Sequence, residues 1–202
     1  MSKPAVFVDR DGTLNEQMGY INHVSRFVLL PGAADAIRLL NKNGHLAIVV
    51  SNQSGAARGY FPVELVEEVH AHMRAMLKRE DALLDGILFC PHSPGAGCDC
   101  RKPGTGLIEK ACQEFDIDMS RSYVIGDRST DIEMAARADL KGILVETGYG
   151  LGEVDHVLPQ KAVKPVYVAK DVFHAVQWIL GKNSPRINTD LLADPADLCG
   201  DG

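Results

Sequence analysis

The chain predicts an α/β fold, a Rossmann-like doubly wound parallel sheet with helices on both faces. Three observations carry that prediction. Short apolar runs alternate with amphipathic stretches along most of the 202 residues, the order that covers both sides of a parallel sheet with helices. Chemistry-bearing side chains fall directly after the apolar runs, where the carboxyl ends of strands form the ligand crevice of such sheets. No internal repeat and no separating linker breaks the series, so one domain over 1–182 is expected, with a loosely ordered tail over 183–202 containing Pro185, Pro195 and several Asp residues.

The elements follow in order. Residues 5–8 are apolar throughout, as in a buried strand, and lead into Asp9-Arg10-Asp11-Gly12-Thr13. A helix is expected over 33–42, where Ala36, Ile37, Leu39 and Leu40 form its apolar side and Asn43-Gly44 supplies a stop. The second strand, 46–50, runs into Ser51-Asn52-Gln53-Ser54-Gly55. A helix over 62–79 opens on Pro62, tolerated in a first turn, and repeats Val63, Val66, Val69, Met73, Met76 and Leu77 at helical spacing. Its methionines read as core filling. Strand 86–89 precedes Cys90 and His92, helix 106–115 follows, and strand 123–125 precedes Gly126-Asp127. Helix 130–138, strands 142–145 and 166–168, and helix 172–180 complete the series.

Asp9 and Asp11 stand two residues apart at the end of a strand, and alternate side chains of an extended segment point the same way. Such a pair lets one carboxylate attack while the other moves protons. Gly12 permits a sharp exit, and Thr13 offers a hydroxyl or begins a turn. An Asx-turn that merely ends the strand is the alternative. Each of the first four strands, however, ends in reactive or polar residues, which implies one site assembled from four strand ends.

Cys90-x-His92-x5-Cys98-x-Cys100 gathers three thiols and one imidazole, the Cys3His donor set of a closed, tetrahedral structural zinc site. The intervening Pro91, Ser93, Pro94, Gly95, Ala96 and Gly97 have too little apolar surface to build a core, so a metal would have to order the loop. A reduced cysteine-rich loop without metal is the alternative. Cys112 and Cys199 fit no ligand spacing and read as a helix residue and a tail thiol. Lys102, alone, would read as a solvated lysine, but its place between Arg101 and Pro103 beside this cluster sets it apart.

Composition bounds the function. A chain 46% hydrophobic and 24% charged has the material for one substantial core. No apolar run reaches membrane-span length, and no secretory signal opens the chain, so no membrane partner and a cytoplasmic location are expected. A net charge of -6 argues against general nucleic-acid binding. A small anionic substrate would have to meet locally clustered cations. A monomer is expected.

The order Asp9-x-Asp11-Gly-Thr13, Ser51, Lys102-Pro103 and Gly126-Asp127-x-x-x-Asp131 resembles the four motifs of the haloacid dehalogenase superfamily of phosphotransferases, over roughly residues 5 to 180. The resemblance implies that Asp9 is the nucleophile, forming an aspartyl-phosphate, and that Asp11 protonates the leaving oxygen and then activates water. It implies that Ser51 and Lys102 hold the phosphoryl oxygens, and that catalytic Mg²⁺ is bound by Asp127, Asp9 and the main-chain carbonyl of Asp11. Asp131, one helical turn beyond Asp127, suits a supporting or capping role.

A zinc loop of this spacing in a chain without room for a large cap domain resembles, within that superfamily, the heptose bisphosphate phosphatases. Gly19-Tyr20, Asn52-Gln53-Ser54-Gly55-x-x-Arg58-Gly59, Cys90-Pro91-His92 and Cys98-x-Cys100-Arg101-Lys102-Pro103 carry the likeness. It implies substrate contacts at Gly19, Tyr20, Asn52, Gln53, Ser54, Arg58, Arg101 and Arg128. Departures are Ser51 where Thr is usual, Arg128 where Lys is common, and Gly104-Thr105-Gly106 in place of a Lys-Pro-Gly run. The histidinol-phosphate phosphatases share the zinc loop and the Gly126-Asp127-Arg128 run and stand as the alternative. A zinc-stabilised binding module would be expected to lack one of Asp9, Asp11, Lys102 or Asp127, and all are present. A phosphomutase would need a solvent-excluding cap. His23, His45, His70, His72, His156 and His174 read as surface or packing residues, with His23 placed in a loop expected over the first motif.

Overall fold

The computed structural model describes residues 2–181. The expected tail, including Cys199, lies outside the described residues. Six parallel strands form one sheet in the order β3-β2-β1-β4-β5-β6: β1 Ala5–Val8, β2 Leu46–Asn52, β3 Gly86–Cys90, β4 Tyr123–Gly126, β5 Lys141–Val145 and β6 Tyr167–Ala169. The order reverses between β1 and β4, which is where a doubly wound sheet opens its crevice. Register across the centre pairs Phe7 with Ile48 on one side and with Val124 on the other.

Every residue of β1 is buried because alternate side chains enter different cores. Val6 and Val8 pack beneath α1 (Ala33–Lys42), α2 (Val63–Arg79) and α6 (Val172–Ile179), against residues such as Ile37, Leu40, Met73, Leu77 and Val176. Ala5 and Phe7 face α3 (Gly106–Glu114) and α4 (Ser129–Arg137), meeting Leu107, Ile108 and Met134. A short helix α5, Gly150–Gly152, continues as wider turns to Val157. No helix of the described residues is long and apolar enough to cross a membrane.

Two expectations about α2 change at its start. Pro62 is the N-cap, with φ -68 and ψ 152, and Val63 is 41% exposed instead of joining the apolar stripe. Residues 62–64 are exposed, so the periodic set becomes core only from Val66 onward. Both methionines fill the core as expected: Met73 is fully buried, and Met76 packs against the same cluster, partly buried. The connection from β1 to α1 holds only a three-residue 3-10 turn, Val24–Arg26, pinned by an antiparallel bridge between Asn15 and Leu29. A large cap domain is absent from that connection.

Candidate active site

β1 delivers Asp9 to the centre of the crevice because its N–H continues the ladder, donating to the Ile125 carbonyl at 2.9 Å. The chain then turns at Gly12, where φ is +89 and an added Cβ would lie 2.1 Å from the Asp127 carboxylate. Only glycine lets the first loop pass so near the end of β4. The Thr147 hydroxyl donates to the Gly12 carbonyl at 2.6 Å and ties the loop after β5 to the same point.

Lys102 reaches the crevice from the loop before α3 and is only 6% exposed. Its Nζ lies 2.6 Å from Asp9 Oδ1 and 2.6 Å from Asp131 Oδ1, and it donates to the Val50 carbonyl at 3.1 Å. Burial alone would lower the pKa of this ammonium, but Asp131 and Asp9 overcome that effect and raise it. Asn52 holds the lysine's backbone from both sides: its Oδ1 accepts the Lys102 N–H at 3.0 Å, and its Nδ2 donates to the Lys102 carbonyl at 3.3 Å. Ser51 is buried beside Asp9 in the same lining, and its Oγ accepts from Gln53 Nε2 at 2.8 Å.

Asp9, Asp127 and Asp131 bring carboxylate oxygens within 4.8 Å of one another. Burial, only partly opposed by Lys102, raises Asp9 to about 6. Burial and the charges of Asp9 and Asp131 raise Asp127 to about 8. One Asp127 oxygen accepts the Tyr149 N–H at 2.9 Å, whereas Oδ1 is buried without any hydrogen-bond partner. An orphaned carboxyl oxygen crowded by other carboxyls, whose charge burial disfavours, fits a hard divalent cation. Asp131 is occupied otherwise, capping α4 through the Arg128 N–H at 3.2 Å while holding Lys102.

Asp11 is held by three side chains. Arg10 Nη2 donates to both of its carboxylate oxygens, at 2.9 and 2.8 Å, Asn15 Nδ2 donates to Oδ1 at 3.0 Å, and Gln53 Nε2 donates to Oδ2 at 2.7 Å. Burial would raise this carboxyl, but the Arg10 charge and these hydrogen bonds keep it below its ordinary value.

A cavity of about 210 Å³ opens over these groups. Asp9, Asp11, Ser51, Lys102 and Asp131 line its floor; Gly19, Tyr20, Asn52, Ser54, Arg101 and Arg128 surround it, as do Gln17, Thr130 and Tyr149. Tyr20 is braced edge-on by Tyr60, with ring centroids 4.9 Å apart. The Arg128 guanidinium lies 4.6 Å from the Tyr149 ring centroid, and its Nε is 3.7 Å from Glu153. Two expected substrate contacts do not line the cavity. Gln53 is buried, with its amide spent on Asp11, Ser51 and Arg10, and Arg58 is exposed outside the lining. His23 is exposed and caps the Val24–Arg26 turn.

Beside the cavity, the ligand atoms of Cys90, His92, Cys98 and Cys100 gather within 4.8 Å of one another. Cys90 Sγ is 3.5 Å from His92 Nδ1 and 3.6 Å from Cys98 Sγ, and His92 Nδ1 is 3.2 Å from Cys100 Sγ. Metal–sulfur bonds of about 2.3 Å and metal–nitrogen bonds of about 2.0 Å give tetrahedral edges of roughly 3.5 to 3.8 Å. The donor set therefore fits a four-coordinate soft cation. Burial and the neighbouring thiols push the Cys100 thiol up to about 12, the situation a bound cation relieves by taking thiolates. Arg101 is tied to this loop, donating from Nη1 to the His92 carbonyl at 3.2 Å.

Gln17, Thr130 and Tyr149 were not anticipated at the site, nor were Arg10, Asn15 and His70 behind it. Arg10 lies inside the first motif, yet its partners Gln53 and His70 are 43 and 60 residues away. Such long-range partnerships leave no local pattern.

Comparison with known proteins agrees with this construction. The HAD-hydrolase-like family model matches residues 99–175, which carry Lys102, Asp127 and Asp131. The D-glycero-D-manno-heptose-1,7-bisphosphate 7-phosphatase of Thermosynechococcus vestitus is 41% identical over 200 residues, covering 92% of this chain and 100% of that protein. The D-glycero-beta-D-manno-heptose-1,7-bisphosphate 7-phosphatase of Escherichia coli K12 is 41% identical over 155 residues, 73% of this chain and 81% of its own. The crystal structure of the D,D-heptose 1,7-bisphosphate phosphatase from B. bronchiseptica, complexed with magnesium and phosphate, superposes with a TM-score of 0.81 at 29% identity, covering 89% of this chain and 99% of that one. With such a relative matched along its whole length, the chain belongs to the D-glycero-D-manno-heptose-1,7-bisphosphate 7-phosphatase family of HAD-like phosphatases.

Proposed function

We propose that this phosphatase removes the 7-phosphate of D-glycero-D-manno-heptose 1,7-bisphosphate through an aspartyl-phosphate on Asp9. The observation that carries the reading is the placement of Lys102 Nζ 2.6 Å from the Asp9 carboxylate, in a cavity whose lining also contains Arg101 and Arg128. One cation serves the reacting phosphoryl group, and two more are available to a second phosphate.

In the first half-reaction an Asp9 oxygen bonds to phosphorus and the ester P–O bond breaks. Asp11, which must first take up a proton because Arg10 and its hydrogen bonds favour the carboxylate, gives that proton to the departing sugar oxygen. In the second, Asp11 takes a proton from water as the water oxygen attacks phosphorus. Inorganic phosphate leaves and the Asp9 carboxylate is restored. Lys102 and Ser51 hold the equatorial oxygens, and Lys102 offsets the repulsion between carboxylate and phosphate. Asp9, Asp127 and the main-chain carbonyl of Asp11 would hold Mg²⁺, which when bound neutralises charge on the transferring oxygens. Cys90, His92, Cys98 and Cys100 would hold a structural Zn²⁺, ordering the loop that presents Arg101 and Lys102. Gly19, Tyr20, Asn52 and Ser54 would contact the sugar, and Arg101 and Arg128 the distal phosphate.

The reading includes one catalytic domain over 1–182 with a separate tail over 183–202, acting as a cytoplasmic monomer on a small phosphorylated sugar, without nucleic acid or membrane. The net charge of -6 is in keeping with it. Steady-state kcat/KM on heptose bisphosphates, hexose bisphosphates and histidinol phosphate tests the substrate: the heptose bisphosphate should lead. A preference for histidinol phosphate would reject the reading.

A further inference from the structure

His70 has no part in the mechanism above, yet it is 6% exposed on the inner side of α2, with its ring edge-on to Phe89 at 5.2 Å between centroids. Its Nε2 lies 3.1 Å from Arg10 Nη1. A guanidinium only donates, so Nε2 accepts, and the ring is the neutral tautomer with its proton on Nδ1. Burial and the Arg10 charge push the imidazole down to about 3, which keeps that lone pair available.

Arg10 is itself 2% exposed, and its other nitrogens are committed. Nε donates to Asp11 Oδ1 at 3.2 Å, and Nη2 reaches both Asp11 oxygens and Gln53 Oε1 at 3.1 Å. The planar guanidinium thus has one edge on Asp11 and the opposite corner on His70. A plane held at both ends cannot turn, and the carboxylate on its edge is held with it. Without an acceptor at position 70, Nη1 would be a buried donor without a partner, relieved only if the guanidinium turned and let go of Asp11.

We infer that His70 is a positioning residue for turnover, orienting Arg10 so that Arg10 orients the Asp11 carboxylate. The inference rests on the proposed acid–base role of Asp11. It adds a residue from α2, outside all four motifs and outside the cavity lining.

The test uses two variants of nearly equal shape. His70→Gln keeps an acceptor at the Nε2 position, and His70→Met leaves at most a weak thioether sulfur in its place. Both are assayed on whichever phosphomonoester the wild-type enzyme turns over best, alongside Asp11→Asn, with folding checked by circular dichroism. His70→Met should lower kcat by about tenfold at nearly unchanged KM, the scale of one lost hydrogen bond to a charged group, and His70→Gln should recover most of the loss. On p-nitrophenyl phosphate, whose phenolate departs without a proton, the His70→Met loss in kcat/KM should be smaller than on an alkyl phosphate. If His70→Met fails to fold, His70→Leu takes its place in the comparison. Wild-type kcat in His70→Met and His70→Leu, or losses in His70→Met and His70→Gln that are equal, overturns the inference. Undiminished turnover by Asp11→Asn would instead remove the premise, since the acid–base reading of Asp11 would then fail.

Discussion

Asp9 and Lys102 meet at 2.6 Å between carboxylate and ammonium, both nearly inaccessible to solvent, although they come from loops 93 positions apart in the chain. Removing Lys102 would leave buried carboxylates without their cation, whereas loss of the Asp9 charge still leaves Asp131 on the ammonium. Asp131 shares the same ammonium and extends the contact to the start of α4.

Asp9→Asn should leave the fold intact and lower kcat by several orders of magnitude, about what loss of a covalent nucleophile costs, because an amide does not attack phosphorus. The assay is steady-state turnover beside a circular-dichroism spectrum. More than a tenth of the wild-type rate would remove Asp9 as nucleophile.

Metal removal should act through pH. In the metal-free protein Asp9 and Asp127 have pKa values of about 6 and about 8, above their ordinary 3.8. These two carboxyls bind more protons in the native state than in the unfolded chain, so their contribution to stability falls as pH rises from about 4 to about 8. His70, held down to about 3, acts in the opposite direction below its ordinary 6.5 with or without metal. Mg²⁺ should reverse that loss, giving a larger rise in Tm at pH 8 than at pH 5.5. Thermal melts with EDTA or with Mg²⁺ decide it, and a Mg²⁺ effect independent of pH would contradict the carboxylate account.

Cys98→Ser should lower bound zinc and Tm together, with activity following, since Arg101 is anchored on the His92 carbonyl at 3.2 Å. Elemental analysis of the purified enzyme is the check. Full activity in protein without zinc would show that the cluster orders nothing.

Arg101→Ala should reduce kcat/KM for the heptose bisphosphate by about 1–3 kcal/mol, the scale of a lost charged hydrogen bond, while hardly affecting a small artificial monophosphate. Binding energy from a distal phosphate is spent on positioning the reacting one. Equal losses on both substrates would place Arg101 at the transferring group instead.

Much of this architecture was legible because local pattern and tertiary role coincide. The run 5–8 is apolar at every position because β1 is central, and the acidic pair follows where β1 runs out into the crevice. Strand ends drifted by one or two residues: β2 continues to Asn52, since Ser51 and Asn52 still pair with Phe89 and Cys90. Roles set by distant partners were not legible. Gln53, expected at the substrate, is instead spent on Asp11, and Tyr149 enters the site only because the loop after β5 folds back over Asp127. His70 looks like any packing residue until Arg10 is placed beside it.

The most direct test of the central claim is the product of hydrolysis. Phosphorus NMR of D-glycero-D-manno-heptose 1,7-bisphosphate incubated with the enzyme and Mg²⁺ should show the 7-phosphate resonance disappearing into inorganic phosphate while the anomeric phosphate persists. Loss of the anomeric phosphate first, or no turnover of this sugar under conditions where another phosphomonoester is hydrolysed, would contradict the account.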